Sequence, residues 1–357
     1  MVIIFYRVKR LTGGCHILKP KKPTIHEVAK LADVSIATVS NVFSGRKPVN
    51  DNLKSRVYQA ASELNYQIDR AGSQLRSGRS SVIAVLVPHI MDTFFATIVS
   101  HIENLAFAKG YDVIVASSHD QPEMEKSRIK ALLAWRPAGL IAIQCSQQCP
   151  PEIKELRSLL PMVLLDRVSV EASPVDTVTI DNVKAGKIVA EHLFEAGHEN
   201  ILVAASVLDY SPISERFTGV CETLKSLSDT EPTLLELGTN IEKGAELFTR
   251  WLDSNPLPTA VFALTNVTTL AVVTALTKRG LKVPDDISLV AFDDHAWMSV
   301  HGNGLTAIRQ PVNGLANAAW LRLMTRIESG VLDDPIPTVL EAKLIKRNSV
   351  KQLAGSK

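Results

Sequence analysis

Beyond Ser81 the chain repeats one device, a short continuous apolar run followed by a stretch with helical spacing. The runs are VIAVLVP (82–88), YDVIVAS (111–117), AGLIAIQ (138–144), MVLLD (162–166), TVTID (177–181), ILVAA (201–205), TAVFAL (259–264) and ISLVAFDD (287–294). A strand that is apolar on both faces must be covered on both faces. That is the condition of a parallel strand between helix layers, not of a hairpin with one wet side. Phe94 to Lys109 and Glu123 to Trp135 carry the helical pattern between the first runs, the second with Ile129, Leu132 and Leu133 turned inward. About 270 residues of this kind exceed one comfortable sheet, so the pattern predicts two α/β lobes, each a doubly wound parallel sheet.

The front of the chain obeys a different rule. In TIHEVAKLADVSIATVSNVF (24–43), Thr24 and Glu27 have the spacing of a capping box, so a helix starts there. Val28, Ala29 and Ala32 share one face of it, and Asp33-Val34 breaks the pattern. Ser35 caps a second, shorter helix whose apolar side is Val39, Val42 and Phe43, which leaves Ile36, Ala37, Ser40 and Asn41 outside. Asn50 caps a third, with Leu53, Val57, Ala60, Ala61 and Leu64 at intervals of three or four. Two helices closed by a tight turn form the helix-turn-helix geometry, in which the second helix enters the DNA major groove. An ordinary helical hairpin inside a larger core would read the same way, but the third helix gives residues 24–66 a small core of their own.

Charge separates the two regions. Up to Ser80 there are 14 Lys and Arg against 5 Asp and Glu; the remainder has 25 against 32, and the whole chain carries only +2. A polyanion belongs at the basic end. Four cysteines (Cys15, Cys145, Cys149 and Cys221) fit neither a disulfide framework nor a zinc site, which suggests a reducing, cytoplasmic setting and no structural metal. No apolar run reaches the roughly 18 residues that would span a bilayer, so no membrane partner is expected.

The segment 24–43, a third helix ending in ELNY, and the following AGSQLRSGRSSVIAVLVP together resemble the headpiece and hinge of the LacI/GalR (lactose-repressor) family of bacterial transcription regulators. The likeness runs from Thr24 to about Val350. It implies an all-α helix-turn-helix headpiece (24–69), a hinge helix (70–80) and a periplasmic-binding-protein-like core (81–350), behind a basic leader (1–23) and before a short tail (351–357). The core would divide into an N-lobe (about 81–179 and 310–340) and a C-lobe (about 181–308 and 341–350), with crossings near Ile180, Gln310 and Glu341. The implied partners are pseudo-palindromic double-stranded operator DNA, a second copy of the chain, and a small effector, a sugar or sugar acid. With no leucine heptad at the end of the chain, a dimer is expected and not a tetramer.

The resemblance also assigns residues. Ile36, Ala37 and Asn41 fall on base-reading positions, where Asn can pair with adenine while Ile and Ala can only pack against thymine methyls. Thr24, Ser35, Thr38, Ser40, Lys47 and Asn50 read as phosphate or capping groups that set register. Leu75 matches the hinge leucine that is driven between base pairs of the minor groove when two hinges meet on DNA. There are departures: Asp33 replaces the usual turn glycine, a position whose left-handed geometry Asp tolerates, and Gly72 weakens the hinge helix by about 1 kcal/mol relative to Ala.

For the effector, loops after the strands supply Asp92, Phe94, Phe95, Asp166, Arg167, Ser214, Arg216, Thr265, Asn266, Asp293 and Asp294. Aromatic faces beside an arginine and several Asp and Asn side chains suit a polyhydroxylated ligand. Taken singly, Phe94 and Phe95 would be core and Asp293 a helix cap. Phe94, Phe95, Arg216 and Asp293 match common effector contacts of the family. Thr265-Asn266 stands where an Asn-Asp pair is usual, and His89 where Asp is frequent. Arg167 and Arg216 then face fewer acids, which favours a carboxylate- or phosphate-bearing effector over a neutral sugar. No GxSxG elbow, HExxH or glycine-rich phosphate loop is present, so neither an enzyme nor a cofactor is expected. A free solute-binding protein or sugar-processing enzyme would explain the core and leave the first 80 residues without purpose.

Overall fold

The computed structural model describes residues 23–44, 47–66, 80–145, 149–168, 173–330, 332 and 334–353. The leader (1–22) and the hinge positions Gly72 and Leu75 lie outside them. The chain separates into two compact units, Met1–Gly78 and Arg79–Lys357.

In the first unit, α1 (Ile25–Leu31), α2 (Ile36–Ser44) and α3 (Asp51–Glu63) enclose Val28, Ala29, Ala32, Val39, Val42, Val57, Ala60 and Ala61. The capping box of Thr24 and Glu27 opens α1. Ser35 Oγ accepts the Thr38 amide at 3.0 Å to open α2, and Asn50 Oδ1 accepts the Asn52 amide at 2.9 Å to open α3. Asp33 takes φ 48°, so the turn keeps its left-handed residue despite the missing glycine. Arg56 on α3 donates to both the Asp33 carbonyl and its carboxylate, tying that turn to the third helix.

The second unit is two sheets. β1 (Val82–Val87), β2 (Asp112–Ser117), β3 (Gly139–Ala142), β4 (Met162–Leu165), β5 (Asp176–Ile180) and β11 (Pro337–Leu340) form the first, in the order β11-β5-β4-β3-β1-β2 and all parallel. β6 (Ile201–Ala205), β7 (Thr233–Glu236), β8 (Ala260–Ala263), β9 (Ser288–Phe292), β10 (Thr306–Arg309) and β12 (Lys343–Ile345) form the second, in the order β12-β10-β9-β8-β6-β7. β12 runs antiparallel to β10; the other pairings are parallel. β1, β3, β4, β5, β6, β8 and β9 are buried along their whole length, as strands covered by helices on both faces must be.

The helices are α4 (Thr93–Ala108), α5 (Pro122–Leu133) and α6 (Pro151–Leu156) in the first lobe, and α7 (Asn182–Glu195), α8 (Ser211–Ser228), α9 (Ile241–Ser254), α10 (Asn266–Arg279) and α11 (Ala296–Val300) in the second. α12 (Val312–Ser329) returns the chain to the first lobe, where Leu315, Ala319 and Leu323 join its core. The chain thus passes between sheets after β5, after β10 and between β11 and β12.

Four strands lie outside the run of apolar segments. β7 and β11 are exposed or half-buried throughout, as edge strands can be, and β10 and β12 are only four and three residues long. The ordered chain also continues past Val350, where a tail was expected. The Lys351 amide donates to Ser288 Oγ at 3.0 Å and the Leu353 amide to the Ala196 carbonyl at 2.9 Å, so this segment belongs to the second lobe.

Candidate functional site

The carboxyl ends of both sheets face each other, which is where ligands sit in open α/β folds. Between them is a small cavity of about 60 Å³. From the first lobe it is lined by Asp92, Phe94 and Phe95 after β1 and by Asp166 and Arg167 after β4. From the second come Ser206, Tyr210, Pro212, Ile213 and Arg216 after β6, Thr265, Asn266 and Val267 after β8, and Asp293 after β9. Gln310 joins from the crossing that follows β10. Every loop residue that the sequence offers to an effector comes to this one surface except Ser214 and Asp294. The Ser214 hydroxyl donates to the Ser211 carbonyl, and Asp294 turns away to Arg309 and Arg347.

Local structure explains the placement. Asp92 caps α4 by accepting the Phe94 amide at 2.9 Å, which fixes Phe94 and Phe95 on the first turn, where both are buried. They are core and lining at once. Thr265 caps α10 in a capping box with Thr268. Asp293 caps no helix. It accepts from the Gln310 amide nitrogen at 2.7 Å and from the Asn266 backbone at 3.3 Å, and so joins the pocket to a crossing strand. Asp166 and Asp293 both have positive φ, 65° and 79°. Such backbone is strained for a residue with a Cβ and persists where the surroundings over-determine it, a pattern concentrated at ligand sites.

Arg216 is buried, its guanidinium 3.5 Å from the Phe292 ring centroid, with Nε donating to Asn182 Oδ1 at 2.9 Å and Nη1 to the Leu264 carbonyl at 2.7 Å. Burial pulls its pKa down, opposed by the Asp293 and Asp166 carboxylates. Burial raises the Asp166 carboxyl above the usual range against the pull of Arg216 and Arg167, and likewise raises Asp92 against its bond from the Phe94 amide. Arg167 is ion-paired to Asp120. The expectation that the two arginines lack acids is therefore corrected: Asp120 and Asp166 make good the carboxylate lost at Asn266. Nothing in this charge balance then favours an anionic effector. His89 is not on the cavity; its ring meets His119 edge-on at 5.4 Å.

Ser206, Tyr210, Pro212, Ile213 and Val267 line the cavity without having been singled out in the sequence, and Gln310 was named there only as a crossing. Asp166 had only a positional signal, its place at the end of a buried run. A larger hollow, about 600 Å³, lies at the opposite ends of β4 and β5, beside Arg157, Asp176 and Arg326. It lies at the amino ends of the strands, and Arg326 there is held by Asp176 in a two-bond ion pair at 2.8 Å. The smaller cavity has the chemistry.

On α2 of the headpiece, Ile36 is 43% exposed, Ala37 and Ser40 are exposed, and Thr38 and Asn41 are half-buried, while Val39 and Val42 are buried. Thr24, Ser35 and Asn50 stand exposed at the amino ends of the three helices, where backbone amides favour phosphate.

A helix-turn-helix reader and a cleft between two parallel-sheet lobes define a ligand-responsive DNA-binding protein. Comparison with known families agrees over both parts: residues 24–69 match the model of bacterial regulatory proteins of the lacI family, and residues 80–332 match that of periplasmic binding proteins and the sugar-binding domain of the LacI family. The chain belongs to the LacI family. It is 29% identical over 333 residues to the HTH-type transcriptional repressor PurR of Pectobacterium carotovorum subsp. carotovorum (strain PC1), covering 92% of this chain and 96% of that one. It is 30% identical over 309 residues to the HTH-type transcriptional regulator PtxS of Pseudomonas putida, covering 86% and 90%. The lac repressor dimer bound to operator and the anti-inducer ONPF superposes with a TM-score of 0.81 at 26% identity, over 93% of this chain and 100% of that one.

Proposed function

We propose that the protein is a dimeric repressor that holds two headpieces over a pseudo-palindromic operator and releases it when a small polyhydroxylated effector occupies the cleft. The observation that carries this is the convergence of loops from both lobes and of Gln310, on a crossing strand, at one cavity. Occupancy there bears directly on how the lobes are set. Carboxylates at Asp92, Asp166 and Asp293 accept hydroxyl donors, and the rings of Phe94 and Phe95 offer an apolar face. Within the headpiece, Ile36, Ala37 and Asn41 read bases; Thr24, Ser35, Thr38, Ser40 and Asn50 engage the backbone; Leu75 supplies the minor-groove wedge. The protein acts by binding and not by catalysis, in the cytoplasm. No helix among the described residues is long and apolar enough to cross a membrane.

The test is selection of duplexes by the full chain from a pool of inverted repeats, followed by anisotropy titration with and without D-glucose, D-gluconate and D-glucose 6-phosphate. A preferred inverted repeat is expected. No preference over random duplex would end the proposal.

A further inference from the structure

The cavity is small as it stands. About 60 Å³ accommodates a water or two, whereas small-molecule pockets run to about 300 Å³ or more. One contact that bridges the two lobes over it, away from the crossings, is a stack of a guanidinium on a ring. The Arg167 guanidinium, from the first lobe, lies 4.1 Å from the ring centroid of Tyr210, from the second. The Phe95 ring lies 5.5 Å from the same guanidinium, and Asp120 pairs with it from the loop after β2. An arginine near two rings and largely out of water is where a cation–π contact gains from desolvation. The other contacts of the two residues lie within their own lobes. The Arg167 guanidinium is bound to Asp120 before any ligand arrives, and Tyr210 opens α8 without a side-chain cap.

We infer that Arg167 and Tyr210 form a gate across the cleft, which must part before a solute of sugar size can reach the cavity. The reading of the cavity as an effector site supplies the ligand; the gate itself is tested without one. Amides on both sides are protected by local hydrogen bonds: Arg167 to the Leu165 carbonyl, Gln121 to Ser118, and Ile213 and Ser214 to Tyr210. Their exchange reports opening.

Hydrogen exchange is followed by mass spectrometry on the full-length wild type, Y210A, Y210F and R167K, without DNA or ligand. In Y210A, the first-lobe segments 118–121 and 164–168 should exchange about 5- to 30-fold faster, the span expected from losing one desolvated stack. R167K keeps the charge and loses the planar face, and should accelerate the second-lobe segment 207–213. Y210F keeps the ring and should match the wild type. Peptides from the buried strands β1 and β6 act as a folding control and should not change in any variant. Acceleration confined to the substituted residue's own lobe, in both Y210A and R167K, overturns the gate whatever the cavity binds. Its failure would leave the effector titration untouched, and the reverse also holds.

Discussion

Asp166 is a carboxylate whose burial works against the fold, and that can be measured. Its pKa is raised in the folded state, so the folded protein holds a proton more tightly than the unfolded chain does. Its contribution to stability is then fully present below the unfolded value near 3.8 and is lost as pH rises through the folded value. Asp166→Asn should therefore melt higher than the wild type at pH 7.5, with the gap narrowing as pH is lowered toward 4, as followed by thermal unfolding across that range. The same variant should lose effector response, because the amide removes an acceptor that a hydroxyl needs. A buried carboxyl whose titration is shifted upward beside two arginines in a cleft is a candidate ligand-binding group. Much of the site was legible at this scale. Asp92, Phe94, Arg216 and Asp293 follow apolar runs, and a parallel sheet delivers such positions to one end. Tyr210 and Gln310 were not, because nothing in VLDYSP or AIRQPV distinguishes a cleft residue from a loop residue until the second lobe is in place. The charge balance misled for the same reason: Asp120 lies far from Arg167 in sequence, and only the fold sets them side by side.

At the scale of elements, α7 and α8 pack so closely that each glycine at their contact is fixed. A Cβ on Gly186 would lie 2.0 Å from the Arg216 carbonyl oxygen, and one on Gly219 equally close to that of Val183. Because α7 brings Asn182 and α8 brings Arg216, this contact also sets the bond between them. Gly186→Ala should destabilise the core by about 1–3 kcal/mol, the usual range for overpacking, as read from denaturant unfolding. The segment after β12 offers a second test. His198 is buried with Nε2 facing the Lys351 carbonyl at 3.1 Å, and burial lowers its pKa from the ordinary 6.5. A depressed histidine contributes stability above its unfolded pKa that is lost as pH falls through the folded one. Lowering pH from about 7.5 to 5.5 should destabilise the protein, and His198→Asn should flatten that slope in unfolding curves taken across the window. Neither the pairing of residues 351–353 nor the edge strands β7, β11 and β12 were legible, since a few amide bonds and short, half-exposed strands leave little trace in composition. The central strands were legible because burial on both faces demands an unbroken apolar run.

For the whole molecule, charge and fold divide at the same place. The basic excess lies before Ser80, while the core, with 25 Lys and Arg against 32 Asp and Glu, has no electrostatic reason to approach DNA. Residues from Arg79 on form a compact unit with cores of their own, so a chain lacking the first 78 residues should fold. It should keep any melting shift caused by an effector and lose duplex binding at every salt concentration. The full chain should lose affinity steeply between about 50 and 200 mM salt, as counterion release requires of a protein neutralising several phosphates. A two-part protein is a regulator only if the parts communicate. A coupling of about 1–3 kcal/mol, usual between linked sites, would change operator affinity roughly 5- to 150-fold on saturation with the compound that most raises the melting temperature. Linkage then demands that operator shift the affinity of that compound by the same factor, which calorimetry on the protein–duplex complex can read. Tight binding of the compound to a core whose operator affinity does not move would mean that the cleft and the headpiece share a chain without sharing an equilibrium.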